Sequence, residues 1–287
     1  NVALFLNLAP NHLDRHGGIE GYLAAKRRIF DNQTSKDTAV LGIDDVHTQS
    51  LAIALNHGPA KVSQISAEFA LGKGVSAVDG LLYDSLRGKA ERVGDLRTAL
   101  ALAGKHNHQN AAAAYAVCRA LGVEPATIMD GIESFSGLAH RQEIIATVNG
   151  VRFINDSKAT NPLAAEQALK AYSRVYWIAG GQTHTEPLDR LFPYLDRVEG
   201  AYLIGESGSD LAKQLKGKVK TRNSATLEAA VQHAAADAEA SGEPDAVVLL
   251  SPARPSFDQF TDFEARGEAF RQLVINHAQK AALMESA

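Results

Sequence analysis

The segment Asn155-Asp156-Ser157-Lys158-Ala159-Thr160-Asn161 sets an acid, a lysine, two hydroxyls and a capping amide between an apolar run over 151–154 and Pro162. Pro162 opens a helix-forming stretch that continues to Leu169. Residues at such a junction lie outside the carboxyl end of a strand, where open α/β sheets bind ligands. The lysine and the helix N-terminus suit phosphate, and the acid and hydroxyls suit a small polar substrate. The same composition also serves an ordinary connector capped by Thr160 or Asn161.

Four more segments carry chemistry-bearing side chains. Asn11-His12-Leu13-Asp14-Arg15-His16 follows the apolar run 2–8, and Lys26 lies on the next helix. A neutral imidazole at His12 can ligate a metal. Lys26 cannot do so as an ammonium, whereas its carbamate is an oxygen donor suited to Mg²⁺. Without that chemistry His12 is a loop hydrogen-bonding residue and Lys26 a solvated lysine. In His106-Asn107-His108-Gln109-Asn110 the two histidines stand two residues apart at a helix start, which points them away from each other. Asn107 is the expected N-cap, and Asn110, one turn on, is placed to face a purine edge. Arg141 follows a break over 136–141, where its planar fork suits phosphate in a crevice between domains or a structural ion pair. In the run from Ser251 to Phe260, Ser256 and the following N–H groups can receive a carboxylate, or the prolines simply stiffen a connector. Gly180-Gly181-Gln182-Thr183-His184 ends another strand, with glycines that let backbone approach a ligand.

These segments need a scaffold, and the apolar periodicity supplies it. Strand-like runs at 2–8, 39–41, 62–65, 75–78 and 81–83 precede an Ala-rich helix over 105–121, with Asp79-Gly80 as a two-residue hairpin turn and Gly122 as a C-cap. A helix after Gly18 is expected to turn Tyr22, Ala25, Ile29 and Phe30 inward. Beyond 136 strands and helices alternate: 151–154, 175–179, 201–204 and 247–250, closed by a helix from about Glu264. That alternation predicts a mainly parallel sheet with helices on both faces. The expected domains are 1–136 and 137–287.

The bulk numbers exclude several classes. The 287 residues are 45% apolar and 22% charged with a net charge of −4, so no basic footprint marks a nucleic-acid or anionic-membrane partner. No apolar run approaches the ~20 residues of a membrane span, and the start lacks the charged region of a signal peptide. One cysteine, Cys118, forms no intrachain disulfide. A cytoplasmic protein is expected. No Ser/His/Asp order or Cys-x-x-Cys pair points to hydrolase or zinc chemistry. No Gly-x-x-x-x-Gly-Lys-Ser/Thr run occurs: Gly104-Lys105 is followed by His106, and Gly217-Lys218 by Val219.

Taken together, 6–16, 22–26, 104–110, 137–141, 155–161, Gly180-Gly181 and 249–267 resemble the Mur ligase family, in family order over nearly the whole chain. The ending Ser251-Pro252-Ala253, Ser256-Phe257-Asp258-Gln259-Phe260 and Phe263-Glu264-Ala265-Arg266-Gly267 is similar above all to the family's D-glutamate-adding members. The resemblance implies an α/β fold: a partial ATPase domain over 1–136, without its phosphate loop, then a Rossmann-like C-terminal domain with a mainly parallel sheet over 137–287. It implies an ATP- and Mg²⁺-dependent amide ligase, a monomer in the family's terms, acting on the small molecules UDP-N-acetylmuramoyl-L-alanine and D-glutamate. A carboxylate takes the γ-phosphoryl group of ATP, and an amine attacks the acyl phosphate.

By the same resemblance, His12 and a carbamylated Lys26 hold Mg²⁺; Asn107, Asn110, Arg141 and Asp156 line the ATP site; and Lys158 neutralises phosphate charge. Thr160, His184, Ser256 and the Phe263 backbone hold the D-glutamate carboxylates. Three departures bear on this. The UDP-binding domain and the start of the ATPase domain are absent, so the 287 residues alone are expected to be inactive. Asn11 stands where the family has Asp. His184 stands where a Gly-Gly-x-x-Lys motif carries the lysine that contacts the amino acid. Two other readings fit the residues: a sibling amino-acid ligase like folylpolyglutamate synthase, and a non-catalytic nucleotide- or amino-acid-binding module.

Overall fold

Alternation of side chains along the first strands decides which face each residue buries. The structure, a computed structural model, describes residues 1–9 and 13–285. The chain divides into two units, Asn1–Phe135 and Ser136–Ala287. In the first, β1 (Val2–Phe5) precedes α1 (Leu13–His16) and α2 (Ile19–Arg27). Then come β2 (Thr38–Gly42), α3 (Val46–Leu55), β3 (Lys61–Ser66), β4 (Val75–Val78), β5 (Leu81–Asp84), β6 (Glu91–Asp95), α4 (Lys105–Ala120) and α5 (Pro125–Glu133). The sheet runs in chain order, parallel from β1 to β4 and antiparallel from there to β6.

Val2, Leu4 and Val40 pack with Ala112, Tyr115 and Ala116 of α4, whereas Ala3, Phe5, Ala39 and Leu41 pack with Leu51 and Ala52 of α3 and with Phe30. Period-two alternation thus divides one sheet between two cores. Asp79 (φ 50°) and Gly80 (φ 77°) both adopt left-handed backbone, the conformation a two-residue hairpin turn requires. The inward face expected of α2 needs correction at two positions, Ala25, which is exposed on the helix, and Ile29. The helix ends at Arg27 and a 3₁₀ turn over Arg28–Phe30 follows, which brings Phe30 into the core and leaves Ile29 54% exposed.

The second unit begins with the hairpin of β7 (Glu143–Val148) and β8 (Val151–Asn155), joined by Asn149 (φ 50°) and Gly150 (φ 80°). There follow α6 (Pro162–Ala171), β9 (Val175–Gly180), β10 (Val198–Ile204), α7 (Gly208–Gln214), β11 (Thr221–Ala225), α8 (Leu227–Ser241), β12 (Val247–Leu250) and α9 (Phe263–Glu285). The order is β11-β10-β9-β12-β8-β7, all parallel except β7. Every residue of β9 and β12 is buried, as expected of central strands covered on both faces. One face packs Phe153, Ile178, Ile204 and Val248 against Ala230 and Ala234 of α8 and Phe270 and Val274 of α9. Trp177 is fully buried and donates its Nε1–H to the Ser251 carbonyl at 2.8 Å. Because β12 inserts between β8 and β9, the loop after it is flanked by the loops after those two strands. Among the described residues no helix is long and apolar enough to cross a membrane.

Candidate functional site

In the first unit, polar residues knit together the carboxyl ends of the parallel strands. Asp44, after β2, accepts from the Ala67 N–H at 2.9 Å, from Gln109 Nε2 at 2.8 Å and from the Ser66 hydroxyl. Gln109 is buried, and its Oε1 accepts from Asn7 Nδ2 at 3.0 Å. Asp45 caps α3 through His47 and Thr48 and also takes the Leu8 N–H at 3.2 Å. Two bonds therefore fix the exit of β1, just before the segment that carries His12. His12 itself lies outside the described residues.

Lys26 is exposed in the last turn of α2, its Nζ 5.0 Å from the Tyr22 ring centroid. Asn107 is not the N-cap. Gly104 (φ 90°) begins the helix, its carbonyl accepting from the Asn107 and His108 N–H groups, so Asn107 falls in the first turn. Its Nδ2 donates to the Ala103 carbonyl at 2.9 Å, and its Oδ1 accepts from Asn110 Nδ2 at 3.3 Å. The two asparagines form one amide pair at the start of α4, with Asn110 exposed. Among the described residues no group of three or more His, Cys, Asp or Glu is placed to hold a metal ion.

In the second unit the loops after β8, β9 and β12 meet through backbone. The Asp156 N–H donates to Leu250 O at 2.7 Å, Ala253 N–H to Ala159 O at 2.9 Å, Gly180 N–H to Pro252 O at 2.8 Å and Gln182 N–H to Pro255 O at 2.9 Å. Asp156 braces the same junction: its carboxylate accepts from Ser251 Oγ at 2.8 Å and from the Gln142 N–H at 3.2 Å. Burial pushes its pKa up to about 7, against the pull of Ser251, the Gln142 N–H and the charge of Arg141. Lys158 is half-buried with Nζ 3.7 Å from the Phe263 ring centroid, and no ion pair among the described residues involves it. Arg141 is exposed and likewise without an ion pair among them. Two cations outside any ion pair among the described residues, Arg141 acting on Asp156 only through its longer-range charge, thus stand on the edge where an anion would approach.

The remaining predicted residues occupy that edge too. Asn161 caps α6 by accepting from the Ala164 N–H at 2.9 Å, which leaves the Thr160 hydroxyl unused by the cap. Ser256 is buried, and its carbonyl takes the Gln259 and Phe260 N–H groups. Phe263 opens α9, its carbonyl accepting from Ser157 Oγ at 2.8 Å. Asp262 takes the Ala265 N–H, so first-turn donors at Phe263 and Glu264 have no acceptor within the helix. His184 is exposed, and its Nδ1 accepts from the Glu186 N–H at 3.1 Å.

Several residues of the matching segments, Arg266 and Asn155 above all, have structural roles that the sequence reading did not assign. Arg266, 1% exposed, donates to Ser157 Oγ at 3.0 Å, Ser157 O at 3.0 Å, Arg254 O at 3.1 Å and Gly180 O at 3.4 Å. One guanidinium therefore ties all three loops together. Asn155 Nδ2 bonds His140 Nδ1 at 3.0 Å and the Gly267 carbonyl at 3.1 Å. His140, Gln142 and Ala253 all adopt left-handed backbone at this edge, with φ of 61°, 47° and 55°. Gly181 (φ 147°) has no room for a side chain, because a Cβ there would lie 2.1 Å from the Pro255 carbonyl oxygen. Gly181→Ala is expected to lose roughly 2–4 kcal/mol of stability through strain and clash. Urea unfolding checks this, and a loss below about 0.5 kcal/mol would contradict the packing described.

Comparison with known proteins decides the family. The family model described as Mur ligase middle domain matches residues 1–118, and the Mur ligase glutamate ligase domain matches 140–254. The chain belongs to the Mur ligase family. This Mur ligase chain is 50% identical over 283 residues to the UDP-N-acetylmuramoylalanine–D-glutamate ligase of a Caulobacter species, a match over 98% of the chain but only 60% of that relative's length. Among solved structures it resembles the MurF ligase of Thermotoga maritima in complex with ADP, with TM-score 0.63 and 18% identity over 96% of this chain and 63% of that one. It resembles the folylpolyglutamate synthase of Mycobacterium tuberculosis, complexed with ADP and AMPPCP, equally well: TM-score 0.63, 18% identity, 94% of this chain and 63% of that one. Those two likenesses establish the mixed α/β fold with mainly parallel sheets and do not choose between the two activities.

Proposed function

We propose that this chain is the nucleotide- and amino-acid-binding part of an ATP-dependent ligase that joins D-glutamate to UDP-N-acetylmuramoyl-L-alanine in peptidoglycan synthesis. The observation that carries the reading is its 50% identity, over 98% of the chain, to a ligase named for those substrates. The geometry supports it through Lys158 and Arg141, cations outside any ion pair among the described residues at the carboxyl edge of a parallel sheet.

In the proposed reaction an oxygen of the acceptor carboxylate attacks the γ-phosphorus of ATP, and ADP leaves. The amine of D-glutamate then attacks the acyl carbon, loses a proton, and inorganic phosphate departs as the amide forms. Negative charge gathers on the transferring phosphoryl group and on the acyl oxygen, and a fixed ammonium lowers both barriers. Lys158 is assigned that role. Arg141 and Asp156 in the second unit, and Asn107 and Asn110 in the first, are assigned to the nucleotide. Thr160, Ser256, His184 and the Phe263 N–H are assigned to the amino acid's carboxylates. Mg²⁺ is proposed as the partner of the ATP phosphates, with His12 and a carbamylated Lys26 as its candidate protein ligands.

A protein of the relatives' full length carrying this sequence is expected to release phosphate only when ATP, the UDP-linked acceptor and D-glutamate are all present. Release that ignores D-glutamate, or that favours another amino acid, would overturn the reading. Lys158→Met in that protein is expected to cut kcat about 10²- to 10³-fold, the scale of removing one transition-state charge donor, with the unfolding midpoint held. An unchanged kcat would remove Lys158 from the reaction.

A further inference from the structure

Arg254 is a buried charge that the assignments above do not use. It is 1% exposed, yet no ion pair among the described residues involves it. Nη1 donates to the carbonyl of Ala253 at 2.9 Å and Nη2 to that of Glu186 at 2.8 Å, while Nε meets no acceptor. Burial lowers its pKa, as it does for Arg266, whose Nη1 donates to the Arg254 carbonyl. Arg266 also lacks an ion pair among the described residues. Two buried guanidinium groups, hydrogen-bonded to carbonyl and hydroxyl oxygens and influenced by Asp210, Glu186 and Asp258 only without ion-pair contact, therefore adjoin the meeting point of the loops after β8, β9 and β12. Isolated buried charge is costly, and the field of such a pair is weakly screened, so an anion nearby is favoured.

The backbone that Arg254 grips adds direction to this. Glu186 offers its carbonyl to Arg254 and its N–H to His184 Nδ1, so both sides of one residue are fixed. With Nδ1 accepting, the single proton of a neutral His184 ring sits on Nε2, the far nitrogen of an exposed side chain. The loop after β9 thus holds out an N–H donor beside buried positive charge that no ion pair among the described residues neutralises.

We propose that Arg254 is a positioning residue that makes this edge selective for an amino acid with a second carboxylate, both by its charge and by holding the loop that presents His184 Nε2–H. The proposal rests on the ligase reading above and names what within it discriminates an acidic from a neutral amino acid.

The test compares kcat/KM for D-glutamate and for its uncharged isostere D-glutamine, at saturating ATP and acceptor, in the full-length protein and in its Arg254→Met and Arg254→Lys variants. The expected result is a wild type that prefers glutamate, and an Arg254→Met variant whose glutamate kcat/KM falls about tenfold or more. That fall is expected through KM, with glutamine nearly unaffected, and Arg254→Lys should recover part of the preference. A purely packing role would lower both substrates alike. An equal fall for both, or an unchanged ratio in folded Arg254→Met, overturns the proposal while leaving the ligase reading intact. A wild type with no preference for glutamate overturns both. Should Arg254→Met fail to fold, the imidazole ¹⁵N spectrum of wild-type His184 decides: a proton on Nε2 with Nδ1 bare supports the proposal, and a proton on Nδ1 overturns it.

Discussion

Arg266→Met is expected to destabilise the second unit by about 3–5 kcal/mol, among the largest effects of any substitution here. The variant keeps an unbranched apolar stem and removes the guanidinium with its donors. Carbonyls of Ser157, Gly180 and Arg254 and the Ser157 hydroxyl then lose a charged partner inside a junction where Arg266 is 1% exposed. Each acceptor left unpaired in the interior costs about 1–3 kcal/mol, offset in part by the desolvation that a buried guanidinium no longer suffers. Functional loss should follow from the same cause, because the loops carrying Lys158, His184 and Ser256 lose their common tie. Urea unfolding at constant m-value measures the effect, and a loss below about 1 kcal/mol would show that the backbone bonds between the loops suffice without it.

Asp156 predicts a pH dependence of comparable size. Its folded pKa is raised to about 7 from 3.8, chiefly by burial. Between those values the folded state binds a proton that the unfolded chain has released, so stability falls as pH rises through the window. The contribution is fully present below about pH 4 and lost above about pH 7, with an amplitude of roughly 4 kcal/mol. Asp156→Asn removes the titration while an amide can still bond Ser251 and the Gln142 N–H. The variant should therefore gain on the wild type between pH 5 and 8. Parallel wild-type and variant curves across that range would contradict the assignment.

The sequence carried the second unit's architecture well because its signals are local. Asn161-Pro162 marks the start of α6, and the unbroken apolar runs of β9 and β12 mark central strands, just as Asp79-Gly80 marks a hairpin in the first unit. Three strands were not legible in the apolar pattern. β6 and β11 are edge strands of mainly polar residues, β6 with none buried and β11 with only Ser224 buried, so they show little alternation. β7 announces itself only through Asn149-Gly150, a turn whose positive φ values match the Asp79-Gly80 hairpin. Asn107 illustrates a cap displaced by context, because Gly104 begins the hydrogen-bond ladder earlier than the amide side chain suggests.

The candidate site divides in the same way. Residues that belong to a motif, such as Asp156, Lys158, Thr160 and Ser256, stand together at one sheet edge as their positions after β8 and β12 require. The residues that hold the edge together lie in motifs too, but their bracing roles were not legible, since their partners lie far along the chain. Arg266 reaches back 109 residues to Ser157, and Asn155 reaches forward 112 to Gly267. In the first unit, the Asn7–Gln109–Asp44 network spans 102 and 65 residues in its two bonds. No periodicity encodes such pairs; only the fold brings them into contact.

The central claim is that this sequence serves an amino-acid ligase working through an acyl phosphate, and oxygen-18 placed in the acceptor carboxylate tests it most directly. The account predicts that turnover by the full-length protein with ATP and D-glutamate moves an oxygen-18 atom into the released inorganic phosphate. Phosphate that emerges free of label while amide forms would contradict it.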